Sequence, residues 1–125
     1  MKLPRLLPLT LIVIAALTGC ATAPENISPA YVSELTYMNY TAEQLGQEQA
    51  RLVAALADVS DAQRRARSND ELGVALLGLP VSSLSGSNQA SQVARLKGEL
   101  AALQKAAILK GYNLPPVAAP TTSKK

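Results

Sequence analysis

Few residues in this chain have the types and spacing that chemistry needs. The one nucleophile with a defined context is Cys20, the sole cysteine, which closes the run Leu17-Thr18-Gly19-Cys20. There is no histidine, so no imidazole titrates near neutral pH as a general base. Ser82 and Ser83 stand in no motif with a base. Asp58 and Asp61 share a helix face, as do Glu43 and Gln47, but the surrounding arginines mark these as solvent-facing charges rather than a metal or acid–base pair. Gly73 and Gly78 lack the Lys-Ser/Thr partner of a phosphate loop. The terminal amine-bearing residue Lys125 is a second nucleophile, at the end of a proline-rich tail. No catalytic residue, metal site or cofactor is expected, and the chain reads as a non-enzyme.

The residues ahead of Cys20 give that thiol its meaning. Met1 to Arg5 is short and basic, and Leu6 to Leu17 is apolar apart from Pro8 and Thr10. This is the layout of a secretory signal, with small residues before the cut. The apolar run is about a dozen residues, short of the roughly 20 that a spanning helix requires. Leu17-Thr18-Gly19-Cys20 resembles the lipobox of bacterial lipoproteins. That resemblance implies a diacylglycerol thioether on Cys20, cleavage before it and acylation of the new amine. Two or three acyl chains hold a protein stably at a bilayer, where one chain holds it only marginally. Ala21 follows, and by the enterobacterial sorting pattern a residue other than Asp there implies the outer membrane, periplasmic face, over the inner membrane.

Cleavage leaves residues 20–125, enough for one small domain. The signal takes two of the twelve basic residues with it, leaving ten against nine acidic ones. The apparent basicity therefore belongs partly to the signal, and nucleic acid is excluded as a partner on charge and compartment. With Cys20 acylated no thiol remains for a disulfide. Phe, Trp and His are absent, so packing through Leu, Val and Ala of helices is the natural way to bury surface.

Those helices are legible. Residues 20–40 read as a lipid anchor and disordered tether followed by a docking segment, with Pro24 and Pro29 discouraging regular structure and Ser28-Pro29 able to start one helical turn. Tyr31, Leu35 and Tyr37 are expected to fold back onto the helices, with a membrane-interface or partner contact as the alternative. Thr41-Ala42-Glu43-Gln44 matches a capping box. Leu45, Gln49, Leu52, Leu56, Val59, Gln63 and Ala66 then repeat in steps of four and three, a heptad-like stripe. Glu48–Arg51 and Asp61–Arg65 are expected surface pairs. Arg64, Arg65 and Arg67 form a basic cluster, either a solvated face or an anionic contact. Ser68-Asn69-Asp70-Glu71 is a second capping-box match, through which the first helix is expected to continue until Gly78 and Pro80 end it.

Leu72 to Leu84 is apolar and uncharged. It either caps the core or forms a tip that touches a bilayer or a partner, with Leu76, Leu77, Leu79 and Leu84 as the contact residues. A second helix is expected from Asn88 or Ser91 to Gly111, with Val93, Leu96, Leu100, Leu103 and Ala107 as its stripe, widened by Ile108 and Leu109. Gly98 implies a close backbone approach. Lys105 and Lys110 complement the helix dipole. The fold class is thus all-α: an antiparallel, coiled-coil-like helical hairpin over 41–112, after a signal at 1–19 and an anchor at 20–40, with a disordered Pro-rich tail at 113–125. A single seam is a thin core, so the Tyr segment, self-association or a partner must thicken it.

Tyr31 to Tyr37, Glu43-Gln44-Leu45, the bend at Pro80 and Ala94-Arg95-Leu96-Lys97-Gly98-Glu99 resemble a family of small proteobacterial lipoproteins, over roughly residues 17–112. The resemblance implies no enzymatic activity. It also implies a disulfide across the open end of the hairpin in relatives, where this chain has Ala42 and the Gly111-Tyr112 region, which favours packing by Tyr112 there. Three roles are compatible with these readings. The first is a structural or adaptor lipoprotein that binds another envelope protein. The second is a peptidoglycan tether linked through Lys125. The third is an exclusion-type lipoprotein that blocks a partner.

Overall fold

The computed structural model describes residues 20–117, without the side chain of Leu84. The signal segment, with Leu17, Thr18 and Gly19, and the tail from 118 to Lys125 lie outside the described residues. Among the described residues every regular element is helical: α1 (Ala42–Leu77), a short α2 (Val81–Leu84) and α3 (Ala90–Leu109). The two long helices pack antiparallel as the expected hairpin.

Helix α1 starts where its cap dictates. The Gln44 amide donates to the Thr41 hydroxyl at 3.2 Å and the Thr41 amide donates to the Gln44 side chain at 2.8 Å, so both partners of the capping box are satisfied. The helix runs unbroken through Ser68–Glu71 for 36 residues, ~54 Å at 1.5 Å per residue. It stops at Gly78, whose φ of 72° is the left-handed cap that a residue with a Cβ adopts at a cost. Helix α3 starts later than Asn88, whose side chain accepts from the Ala90 amide at 3.0 Å, and it is followed by Gly111 at φ 71°.

The seam follows the stripes. Leu45, Leu52 and Leu56 of α1 bury against Val93, Leu100, Leu103, Ala106 and Ala107 of α3, and Ala66 is buried further along α1. A leucine taken from water into such a site contributes ~1.5–3 kcal/mol. Val59 and Leu96, expected in the stripes, are only partly buried at the rim. Ile108 and Leu109 do not widen the stripe: both point to solvent, 76% and 61% exposed. They are rotated ~100° and ~200° from the inward Ala107, and Tyr112 folds back to fill the seam at that level, its amide bonded to the Ala107 carbonyl at 2.9 Å. Tyr112 packing at the open end is as expected.

The segment before α1 differs most from expectation. Instead of a disordered tether it is a strap laid along the hairpin. It makes 3-10 turns at Pro24–Asn26 and Glu34–Tyr37, and Ser28-Pro29 starts none. The reason is a set of contacts to backbone carbonyls. Lys97 Nζ donates to the carbonyls of Pro24 and Ile27 at 2.6 and 2.7 Å. Lys110 Nζ donates to those of Met38 and Tyr40 at 2.7 and 2.6 Å. Between them, the Ala30 amide donates to the Ala94 carbonyl at 2.8 Å, and Lys105 pairs with Glu34 at 2.7 Å. Gly98 explains itself here: any Cβ would collide with the Ala30 carbonyl. Tyr37 enters the core edge-on to Tyr40, but Tyr31 and Leu35 stay outside, 88% and 74% exposed. The strap thickens the thin seam, so the hairpin has a third layer from its own chain.

Candidate functional site

The strap begins at the bend of the hairpin, and one carboxylate fixes it there. Asp70 lies seven residues before the end of α1, facing inward and fully buried. Its Oδ1 accepts the amides of Ser82 and Ser83 at 2.5 and 3.1 Å. Its Oδ2 accepts the Ser83 hydroxyl at 2.6 Å and the amide of Ala21 at 2.9 Å. One side chain therefore holds α1, the short α2 and the first peptide bond after Cys20. Burial pushes the Asp70 carboxyl up, but the bonds from the Ser83 hydroxyl and the Ala21, Ser83 and Ser82 amides outweigh it and hold it below the usual carboxylate value.

Gln63 repeats the device two turns up. It is buried, its Nε2 donates to the Thr22 carbonyl at 2.8 Å, and its Oε1 accepts the Gln89 amide at 2.5 Å. Ala21, Ala23 and Pro24 are buried under these bonds, while Cys20 is exposed. The thiol thus leaves the body at the bend, not at the open end.

The bend itself is turned inside out. Leu76 is 80% exposed, Leu77 71% and Leu79 54%. Leu72, Val74 and Val81 are exposed beside them. Leu84 ends α2, and its side chain is outside the description. The bend does not cap the core. Its interior is occupied by backbone: Gly73 leaves room for the Leu79 carbonyl and Val81 to fold back, and a Cβ there would meet both at under 3 Å. Three of the four expected contact residues are therefore exposed at the bend, where Asp70 also holds the amide next to Cys20.

Most of the remaining charges are paired. Arg51 pairs with Glu48, and Arg95 with Glu99 at 2.8 Å, along the cleft that also holds Val59 and Gln92. Asp61 pairs with Arg64 at 2.7 Å rather than with Arg65; both spacings are helix neighbours. Arg67 pairs with Glu71 at 2.8 Å, and Gln47 donates to Glu43 at 3.4 Å. Lys110, expected to serve the helix dipole, instead grips the strap. Among the described residues no three acidic, Cys or His side chains gather as a metal site, and no helix is long and apolar enough to cross a membrane.

The role of Asp70 escaped the sequence because Ser68-Asn69-Asp70-Glu71 looks like a helix start. The available signal was a short acid placed one turn-and-return before Ser82-Ser83, whose consecutive amides need an acceptor. The chain matches no known protein family, no curated protein and no solved structure.

Proposed function

We propose that this chain is a lipid-anchored cell-envelope protein with a non-enzymatic structural or adaptor role, held through acyl chains on Cys20 at the periplasmic face of the outer membrane. The observation that carries the reading is the Leu17-Thr18-Gly19-Cys20 sequence behind a basic and apolar leader. Three further points support it. Cys20 is exposed at the start of the body, so acylation there displaces no packing. The buried strap that follows transmits the anchor to the hairpin without a slack linker. Histidine is missing from the whole sequence and the charged residues described are mostly paired with one another, which suits a scaffold more than a catalyst.

Growth with radiolabelled palmitate tests this. The protein is expected to take up label, and its Cys20→Ser variant to take up none. An unlabelled wild-type protein would refute the lipid anchor.

A further inference from the structure

We propose that the exposed apolar bend enters the same leaflet that receives the acyl chains of Cys20, so that the hairpin stands bend-down on the bilayer. The inference rests on acylation of Cys20 and adds what the protein body does at that surface. It commits to lipid as the occupant of Leu72, Leu76, Leu77, Leu79 and Val81.

The geometry leads there in three steps. First, the Ala21 amide and the Ser82 and Ser83 amides share the Asp70 carboxylate. The residue that carries the lipid is therefore one peptide bond from the turn that carries the leucines. A foot at Cys20 brings the bend to the bilayer whatever the rest of the chain does.

Second, the surface brought there suits an interface. Residues 72–94 contain no Asp, Glu, Lys or Arg, so no ionised side chain of the bend has to leave water. Several polar groups of the turn are bonded within the protein: the carboxylate of Asp70 accepts from four donors, and the Gly78 and Ser85 amides donate to the Val74 and Val81 carbonyls at 3.0 and 2.9 Å. Unbonded backbone is what excludes a turn from an apolar layer.

Third, charge resumes directly above the apolar residues, at Glu71. Arg64 and Arg67 pair with Asp61 and Glu71, so among the described residues Arg65 is the cation of the arginine cluster without an acidic partner. Arg64, Arg65 and Arg67 lie 5–8 residues before Leu72, ~8–12 Å up the axis of α1. That is the depth to which an interfacial apolar face sinks, ~5–10 Å. Basic residues just above such a face meet anionic phosphates. The order along α1 is thus leucines at the tip, Cys20 beside Asp70, then arginines, which matches the apolar layer, anchor level and headgroups of a leaflet.

The test uses the fact that acylation consumes the only native thiol. Leu77→Cys and Gln47→Cys variants of the full chain are purified in acylated form, spin-labelled and reconstituted in vesicles of phosphatidylethanolamine and phosphatidylglycerol. Both positions are exposed, and they lie ~45 Å apart along α1. Circular dichroism checks the fold, and intact mass reads the acyl chains.

The label at 77 is expected to collide several-fold less with a water-soluble nickel chelate, and more with oxygen, than the label at 47. Equal nickel accessibility at both, with acyl chains on Cys20, overturns bend insertion and leaves the anchor standing. An unmodified Cys20 overturns both. A label at 77 that is immobilised only in native envelope membranes, and not in vesicles, overturns insertion in favour of a protein partner. Spin–spin broadening at 77 overturns it in favour of a second copy.

Discussion

The two ends of the hairpin solve opposite problems with the same residue types. At the open end Leu45, Leu52, Tyr37, Leu103 and Ala106 face inward, although Leu35, Ile108 and Leu109 remain outside. Toward the bend Gln63, Asp70 and Ser82 are inside, and Leu72, Leu76, Leu77 and Leu79 are outside. The open end is held by removing hydrocarbon from water. The bend is held by a few directed hydrogen bonds to backbone amides and carbonyls. Directed bonds fix a shape without using apolar side chains, and this leaves the leucines of the bend free for another medium.

If that contrast is right, leucines at the two ends respond in opposite ways, and the largest effect belongs to the open end. Leu52→Ala removes a fully buried side chain and is expected to cost roughly 3 kcal/mol, measured as a lowered midpoint in urea unfolding followed by circular dichroism. A loss under half of that would mean the seam is not the main source of stability.

Asp70→Asn comes next. It keeps the volume but weakens the bonds to the Ala21, Ser82 and Ser83 amides, at an expected cost of about 2 kcal/mol at neutral pH. The pH dependence has a defined sign. The folded carboxyl sits below its unfolded value of about 3.9, so its contribution is complete above that value. It fades as pH falls through the lowered folded value. The wild type should therefore lose its advantage over Asp70→Asn only under acid conditions. An advantage unchanged between neutral pH and strong acid would show that the charge of Asp70 is not what holds the bend.

The smallest effect belongs to Leu76→Ser. Its side chain touches mostly water, so the midpoint should move by less than about 0.5 kcal/mol. A cost comparable to that of Leu52→Ala would mean that the bend leucines pack within the fold, and the contrast between the ends would fail.

What the sequence revealed follows the same division. The Thr41–Gln44 box and the stripes through Leu45, Leu52, Val93 and Leu103 are local patterns, each decided within one or two helical turns. Both long helices could be placed from them, and so could the exit at Gly78. The fold-back of the Tyr segment was expected and holds for Tyr37, but the course of the strap was not visible, because Lys97 and Lys110 bond to main-chain carbonyls that every residue possesses and no composition marks. Asp70 was hidden for the same reason: its partners are amides. Gly98 was the exception. Its missing side chain announced a close approach, although the neighbour proved to be the strap at Ala30 and not the facing helix. The reading of Ile108 and Leu109 as core failed because apolar content near a helix end says nothing about rotation around its axis.

The Gln49 amide donates to the Pro115 carbonyl at 2.7 Å. This bond fixes where the last residues depart. Asp70, which holds the first peptide bond of the body, lies 21 positions further along the same straight helix, and at 1.5 Å per residue the two points are ~30 Å apart. The Cys20 end and the Pro115 end of the body are therefore held at two fixed levels of one helix.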